Sequence, residues 1–294
     1  PNPAARLPAV PGGDDPPGVL RVGPGRALTR IAQAIAQAPD GAVIEIDPGD
    51  YEGDVAVIGQ RALTLRGTGD WVRLIARGMS AEGKAIWVVR GGQVTVEGVQ
   101  FIGARVPDGN GAGIRLERGQ LTVRRCAFLR NENGILTANE PGTRLAVEDS
   151  EFGYNGAGDG RSHGLYVGRI DALQVTGSYL HHGNVGHLLK SRARRNRIEY
   201  NRLTDESGGR ASYELELPDG GEAEVVGNVI QQDAGTRNSV IVSYGTEGLG
   251  WPANTLLMAF NTVVNDAPHG GSFLRVAPGG AVVVLRNNLW VGDG

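Results

Sequence analysis

Proton-exchanging side chains are concentrated in one short stretch of this sequence. It contains His163, His181, His182 and His187, four of the chain's five histidines, and Lys190, one of its two lysines. Nearly every other basic residue is arginine. Because an amine can lose its proton near neutral pH and a guanidinium cannot, Lys190 is the candidate general base for abstracting a proton from a substrate.

Arginines follow Lys190 almost at once. Arg192 and Arg195 lie within five residues of it. Their positive charges favour an uncharged amine beside them, which is the form that a base requires. They can also grip a carboxylate or sulfate through paired hydrogen bonds, which acidifies a C–H bond next to a carboxylate. The alternative is solvated pairing with the acidic residues that follow across the turn.

Aromatic side chains flank this stretch on both sides. Tyr166 can stack on a sugar ring, and His163 can line the same groove. The hydroxyl of Tyr213 or the imidazole of His187 can return a proton to a departing glycosidic oxygen. Packing over a sheet is the alternative for either tyrosine.

Acidic residues lie close behind, in the segment SYELELPDGG. Glu214 and Glu216 are two residues apart on a predicted strand, a spacing that suits the acid and base of a glycosidase. Together with Asp219 they also suit a calcium site. Glu214 and Arg210 are further candidates for substrate contact, and Glu247 is a candidate for the far end of a groove, together with Tyr244.

No metal site is predicted from the histidines or the cysteine. Convergent imidazoles would be needed, and His181 and His182 point in opposite directions on a strand. The single cysteine, Cys126, excludes an internal disulfide and a thiolate zinc site. We therefore predict no cofactor, with calcium as the one ion that the acidic segment could bind.

An eight-residue pattern that recurs from residue 94 onwards indicates what positions these side chains. The third and eighth positions are apolar in every repeat, and successive repeats start 23 to 33 residues apart, as in the coils of a solenoid. The sixth position is asparagine in the last four repeats, where stacked amides can hydrogen-bond from coil to coil. The repeats start at Val94, Leu121, Leu145, Leu173, Asn196, Ala223, Leu256 and Val283.

A second strand per coil is visible upstream of this pattern, in GIRL, GILT, HGLYV, HLLK, YELEL, VIVS and FLRV. We predict an all-β, single-domain right-handed parallel β-helix over residues 20–294, the handedness following the general rule for parallel crossovers. An N-terminal amphipathic cap helix is expected over Ala27 to Ala38, after an extended lead-in at 1–19. Because neighbouring strands lie about 4.8 Å apart, those candidates that face outward are expected to form one patch, drawn from His163, Tyr166, His187, Lys190, Tyr213 and Glu214.

Composition excludes several classes of function. Glycine accounts for 47 of 294 residues and aromatics for 5%, which favours short strands joined by tight turns. A net charge of -3 gives no bulk attraction for nucleic acid, and no apolar run is long enough for a membrane span. The start PNPAARLPAVPGGDDPP, without Met, favours a trimmed, secreted or periplasmic protein.

The sequence resembles the pectate-lyase-like superfamily of right-handed β-helix proteins, through RALTRIAQAIAQAPDGAVIEIDPGDYEG and the asparagine column. Locally, GHLLKSRARRNRIEYNRL is similar to the Lys-Ser segment of the alginate lyase and chondroitinase B family. That resemblance implies that Lys190 abstracts a proton. An assisting arginine is implied one coil later, where this sequence has SYELELP, with Arg210 nearby.

These features predict a polysaccharide lyase that cleaves an acidic, uronate-containing polysaccharide by β-elimination. Lys190 would take the proton next to the uronate carboxylate and Arg192 would neutralise that carboxylate, while Tyr213 or His187 would protonate the leaving oxygen. The alternatives are a glycoside hydrolase that uses Glu214 and Glu216, a non-catalytic carbohydrate-binding or surface protein, and a uronate epimerase.

Overall fold

The computed structural model describes residues 18–294, and almost all of this part is wound into a parallel β-solenoid of about ten turns. Most of the lead-in predicted for residues 1–19 lies outside the described residues. Every neighbouring pair of strands within the three sheets is parallel, which confirms the predicted all-β solenoid. None of the helices in 18–294 is long and apolar enough to cross a membrane.

The structure contains one short helix and thirty strands in residues 18–294. In chain order they are β1 Val19–Val22, α1 Ile31–Gln37, β2 Ala42–Ile46, β3 Gly49–Glu52, β4 Ala56–Ile58, β5 Ala62–Gly67, β6 Val72–Ile75, β7 Ala85–Val89, β8 Gln93–Glu97, β9 Val99–Ile102, β10 Ala112–Leu116, β11 Gln120–Arg124, β12 Ala127–Leu129, β13 Asn133–Thr137, β14 Arg144–Glu148, β15 Glu151–Gly153, β16 Leu165–Val167, β17 Ala172–Thr176, β18 Tyr179–His181, β19 Leu189–Ser191, β20 Arg195–Glu199, β21 Arg202–Thr204, β22 Leu215–Leu217, β23 Glu222–Val226, β24 Val229–Gln232, β25 Val240–Tyr244, β26 Thr255–Ala259, β27 Thr262–Asn265, β28 Ser272–Val276, β29 Val282–Arg286 and β30 Leu289–Val291.

A typical coil contributes one strand to each of three sheets. Sheet 1 has eleven strands in the order β1-β2-β5-β8-β11-β14-β17-β20-β23-β26-β29. Sheet 2 has ten, in the order β3-β6-β9-β12-β15-β18-β21-β24-β27-β30. Sheet 3 has nine and runs from β4 through β7, β10, β13, β16, β19, β22 and β25 to β28.

The eight-residue pattern is in register from coil to coil, as predicted. All eight predicted starting residues pair in one unbroken row along sheet 1. The pattern covers two strands rather than one, because its sixth position lies at the bend between sheets 1 and 2. Its eighth position therefore falls on sheet 2, where Phe101, Phe128 and Phe152 stack with ring centroids 4.9 and 4.7 Å apart.

The asparagine column forms a hydrogen-bonded ladder inside the bend. The side-chain oxygen of Asn228 accepts the backbone N–H of Asn201 at 2.9 Å and its side-chain amide at 3.1 Å. Asn261 and Asn288 repeat this pattern in the later coils. In the earlier coils, the hydroxyl of Ser178 accepts the backbone N–H of the preceding coil in the same way. The ladder thus satisfies backbone groups that the bend would otherwise leave buried and unpaired.

The predicted helix is present but shorter than its periodicity suggested. It covers Ile31–Gln37, because Leu28 pairs with Val22 in an isolated bridge and Ala38 takes the extended conformation favoured before a proline. The buried carboxylate of Asp54 accepts the first backbone N–H groups of the helix at 2.6 and 2.9 Å. A buried apolar face fixes the helix against the first coils.

Candidate functional site

Three of the predicted residues form a row on the outer face of sheet 3. Tyr166, Lys190 and Glu216 pair in register on β16, β19 and β22. Alternation along each strand turns their apolar neighbours into the solenoid, where the leucines at the preceding positions are completely buried: Leu165, Leu189 and Leu215. The prediction that successive coils bring the candidate side chains together is confirmed for Tyr166 and Lys190, whereas Glu216 stands in this row in place of the expected Glu214.

A second row lies two residues before the start of the same strands. The rings of His163 and His187 stack with centroids 4.3 Å apart, and Tyr213 meets His187 edge-on at 4.9 Å. Nδ1 of His163 accepts the backbone N–H of His187 at 2.9 Å, so its proton lies on Nε2. The ring of His163 also contacts Tyr166 edge-on at 4.5 Å, which joins the two rows into one patch.

Lys190 is surrounded by carboxylates rather than by arginines. Its Nζ lies 2.9 Å from Oε2 of Glu216 and 3.3 Å from Oε1 of Glu247, and only 9% of the residue is exposed. Of the two candidate arginines that follow it in sequence, Arg192 shares the carboxylate of Glu247 with Lys190, whereas Arg195 lies on sheet 1. The direct contacts of the Lys190 amine are therefore carboxylates.

Glu216 links Lys190 to the histidine row. Its Oε2 lies 3.0 Å from Nε2 of His187, and its Oε1 accepts the hydroxyl of Thr246 at 2.9 Å. Burial opposes ionisation of this carboxyl, but the contacts with His187 and Lys190 outweigh it and lower the pKa of Glu216 to about 2. The carboxylate is therefore charged throughout the physiological pH range.

Both histidines of the patch are held neutral. Burial lowers the pKa of His163 well below its usual value, and the neighbouring His187 and Lys190 add to the effect. Burial also lowers the pKa of His187, although its contact with Glu216 acts in the opposite direction. Within residues 18–294, Nδ1 of His187 is buried with no hydrogen-bond partner.

Arg192 holds the carboxylate of Glu247. Nη2 of Arg192 donates to both carboxylate oxygens at 2.7 Å, and Nη1 donates to the hydroxyl of Tyr166 at 3.2 Å. Burial raises the pKa of Glu247, but the contacts with Arg192 and Lys190 prevail and leave it lowered. Glu247 lies in the turn between β25 and β26, and its side chain is 46% exposed. The side chain of Glu247 thus contacts both Lys190 and Arg192.

Three side chains of the patch, Tyr166, Arg192 and Glu247, line a polar groove of about 710 Å³ along sheet 3. Arg169, which also lines it, pairs with Asp219 and covers the ring of Trp251 at 4.6 Å. The chain's other lysine, Lys84, lies on the same face and contacts Glu117 at 2.7 Å. The groove is lined by Gly83, Lys84, Asp108, Asn110, Arg115, Leu136, Thr137, Ala138, Asn139, Tyr166, Gly168, Arg169, Arg192, Asp219 and Glu247.

Glu214 is turned into the solenoid and does not reach the groove. It is completely buried, in register with Leu188 and Ile241 of the neighbouring coils. Neither carboxyl oxygen has a hydrogen-bond partner in the described part of the chain. Burial, with a further contribution from Asp205, raises its pKa well above the usual value. A fully enclosed, protonated carboxyl cannot contact a substrate on the surface.

Three other predicted residues lie away from the patch. Arg195 is exposed on β20 of sheet 1, a different face of the solenoid. Arg210 lies at the turn between sheets 2 and 3, where it contacts the side chain of Asn184. Tyr244 is buried, and its hydroxyl donates to the backbone oxygen of Gly221. Of the two residues expected at the far end of the groove, only Glu247 is there.

Sequence reasoning missed the contributions of the long turns. Arg169 meets Asp219 fifty residues further on and Gly250 eighty-one residues further on. Such contacts depend on how the turns fold back and leave no periodic signal. Within 18–294, no three or more His, Cys, Asp or Glu side chains are arranged to hold a metal ion, and Glu214 and Asp219 do not converge with Glu216.

No protein-family model matches the chain, and no curated protein matches it in sequence.

Proposed function

We propose that the chain binds an acidic, uronate-containing polysaccharide in the groove on sheet 3 and cleaves it by β-elimination. The observation that carries this proposal is that Lys190 and Arg192 together hold a carboxylate, that of Glu247. A bidentate guanidinium with an adjacent ammonium suits the carboxylate of a uronate equally well. Glu247 is half-exposed on a turn and can give way to the substrate.

In this mechanism the substrate carboxylate replaces that of Glu247. Arg192 and Lys190 neutralise it, which makes the neighbouring C5–H bond acidic and stabilises the anion that forms. Because Lys190 already contacts two carboxylates, those of Glu216 and Glu247, we assign the base to Tyr166, whose hydroxyl accepts a hydrogen bond from Arg192. In this step Tyr166 acts as the phenolate, its own hydroxyl proton having passed to solvent beside Arg192. The phenolate takes the C5 proton, the C4–O bond breaks as the C4–C5 double bond forms, and Tyr213 gives its hydroxyl proton to the leaving oxygen.

The sequence suggested Lys190 as the base, and the structure favours Tyr166. Two variants of Lys190 distinguish these assignments. Lys190→Arg keeps the positive charge but cannot take up a proton, so it retains turnover if Lys190 only neutralises charge. Lys190→Met removes the charge and loses turnover under either assignment. A Lys190→Arg protein that binds oligosaccharide but does not cleave it would restore Lys190 as the base.

The same proposal extends to the finer features expected from the sequence. They are the right-handed coil, a capping role for α1, kinship with the pectate-lyase-like superfamily, and a secreted or periplasmic location. The parallel register and the asparagine ladder support the kinship, and no calcium is required by this mechanism.

Carbohydrate binding without turnover is the second candidate function. It is favoured by Glu216, which lies one coil after Lys190, where the lyase resemblance implies an arginine. A hydrolase that uses Glu214 and Glu216 is not favoured, because Glu214 is enclosed.

The deciding experiment uses a panel of alginate, pectate, glycosaminoglycans and bacterial uronans. Ultraviolet absorbance of a 4,5-unsaturated uronate and the number of new reducing ends are measured on the same samples. A lyase raises both together. New reducing ends without absorbance indicate hydrolysis, and binding with neither signal indicates a binding protein.

A further inference from the structure

A second row of ligand-suited side chains follows the turn between sheets 2 and 3. Arg130, Tyr154 and His182 each come one residue after β12, β15 and β18, which pair in register. All three have positive φ values of 57°, 58° and 47°. This conformation is uncommon for residues other than glycine, and three adjacent coils repeat it at the same position.

The side chains of this row stack on one another. The guanidinium of Arg130 lies 5.2 Å from the centre of the Tyr154 ring, and that ring stacks on His182 at 4.5 Å. Nδ1 of His182 lies 2.6 Å from Nδ1 of His181, whose Nε2 lies 3.1 Å from Glu151. This chain of contacts fixes the His182 ring within the row.

Two further arginines complete a cationic pocket of about 360 Å³. It is lined by Arg105, Arg130, Tyr154, Gly156, His182, Gly183, Asn184, Gly208 and Arg210, with no carboxylate among them. Within residues 18–294, no carboxylate lies within ion-pair distance of Arg105, Arg130 or Arg210, whereas Arg192 and Arg169 of the groove are paired. The protein as a whole is acidic, with a net charge of -3.

We propose that this pocket is a second binding site, which takes an anionic group, carboxylate or sulfate, of an acidic polysaccharide. Three guanidiniums that have no carboxylate partner among residues 18–294 repel one another in this pocket, and a bound anion relieves that repulsion while accepting their hydrogen bonds. The pocket shares no lining residue with the groove on sheet 3. Naming a polysaccharide as the ligand rests on the proposed function, whereas the anion site itself does not.

The test compares two double variants that remove the same charge. Arg105→Gln/Arg130→Gln alters the pocket, and Arg144→Gln/Arg195→Gln alters two exposed arginines on sheet 1. Binding of a uronate polymer, a sulfated glycosaminoglycan and sodium sulfate is measured by calorimetry at low salt. We expect the pocket variant to bind one of the polymers at least about tenfold more weakly and the sheet 1 variant to change less than about threefold.

Equal losses in both double variants would overturn the proposal, because they would reflect net charge alone. Unchanged polymer binding in the pocket variant would also overturn it, even if binding of sulfate alone were lost, since the site would then serve a free anion. Turnover of a short oligosaccharide that fills only the groove is expected to be unchanged in the pocket variant. Failure of the lyase assay with wild type would refute the proposed function and leave the binding comparison valid.

Discussion

At the scale of single residues, the carboxylate of Glu247 stands where the proposal places the substrate carboxylate. It contacts both Lys190 and Arg192, and its pKa is lowered by those contacts in spite of burial. A substrate must therefore compete with a charged group of the protein itself. Glu247 consequently weakens binding while it keeps the two cations in place.

Replacement of Glu247 by glutamine tests this competition. Glu247→Gln is expected to bind a uronate oligosaccharide more tightly, by about tenfold or roughly 1.4 kcal/mol, because the amide competes less strongly for Arg192. Calorimetric titration gives the affinity. Glu222→Gln, which removes an exposed carboxylate on sheet 1, is the matched control. Weaker binding by Glu247→Gln would show that Glu247 contacts the ligand favourably.

Glu214 and Asp205 form an acidic pair in the interior that costs stability at high pH. Burial raises the pKa of Asp205 to about 6 and that of Glu214 well above its usual value. The folded chain therefore binds these protons more tightly than the unfolded chain, so stability falls as the pH rises from about 4 through the folded-state pKa values.

Leucine at position 214 is predicted to stabilise the fold, since the adjacent coils carry Leu188 and Ile241 there. The free energy of unfolding of Glu214→Leu should rise by on the order of 2 kcal/mol at pH 8 and by less at pH 4. Denaturant titrations at both pH values measure it. A loss of stability at pH 8 would mean that the buried carboxyl has a favourable partner.

At the scale of elements, the bend between sheets 1 and 2 depends on side-chain amides. Asn228 accepts the backbone N–H of Asn201 and donates to the backbone oxygen of Ile198, both at 2.9 Å. Asn228→Ala leaves both groups buried and unpaired, which should cost about 3 kcal/mol. Asn228→Ser should cost about half as much, because the serine hydroxyl of Ser178 already accepts such an N–H. Equal thermal stabilities for the two variants would contradict this account.

The strands and their register were predictable because the same physical demand recurs in every coil. Every coil except the last, whose Leu285 is exposed, buries position three of the pattern. The same apolar residue type therefore recurs there in sequence, as at Val147, Val175 and Ile198. The helix was overestimated, because Leu28 satisfies the same apolar periodicity while pairing with Val22. Apolar periodicity indicates which residues are buried, and it does not distinguish the first residue of a helix from a bridge that precedes the helix.

At the scale of the whole molecule, the coil repeat predicts which residues pair along a sheet, but it does not predict which side chains the turns between sheets bring to that face. It placed Tyr166 beside Lys190 correctly, but the next residue of that row is Glu216 and not the expected Glu214. It could not show that Arg192 stays with this row while Arg195, three residues later, lies on sheet 1. The coil repeat also could not show that Glu247 contacts Arg192, because Glu247 lies in a turn 55 residues further along the chain.

Cleavage of a uronate polymer by wild type and by Tyr166→Phe is the most direct test of the central claim. Tyr166→Phe keeps the ring and removes only the hydroxyl next to Arg192. The account predicts ultraviolet absorbance of an unsaturated uronate with wild type and at least a hundredfold slower rise with the variant, at unchanged polymer affinity. Wild-type rates in Tyr166→Phe would contradict the assignment of the base, and reducing ends without absorbance would contradict β-elimination itself.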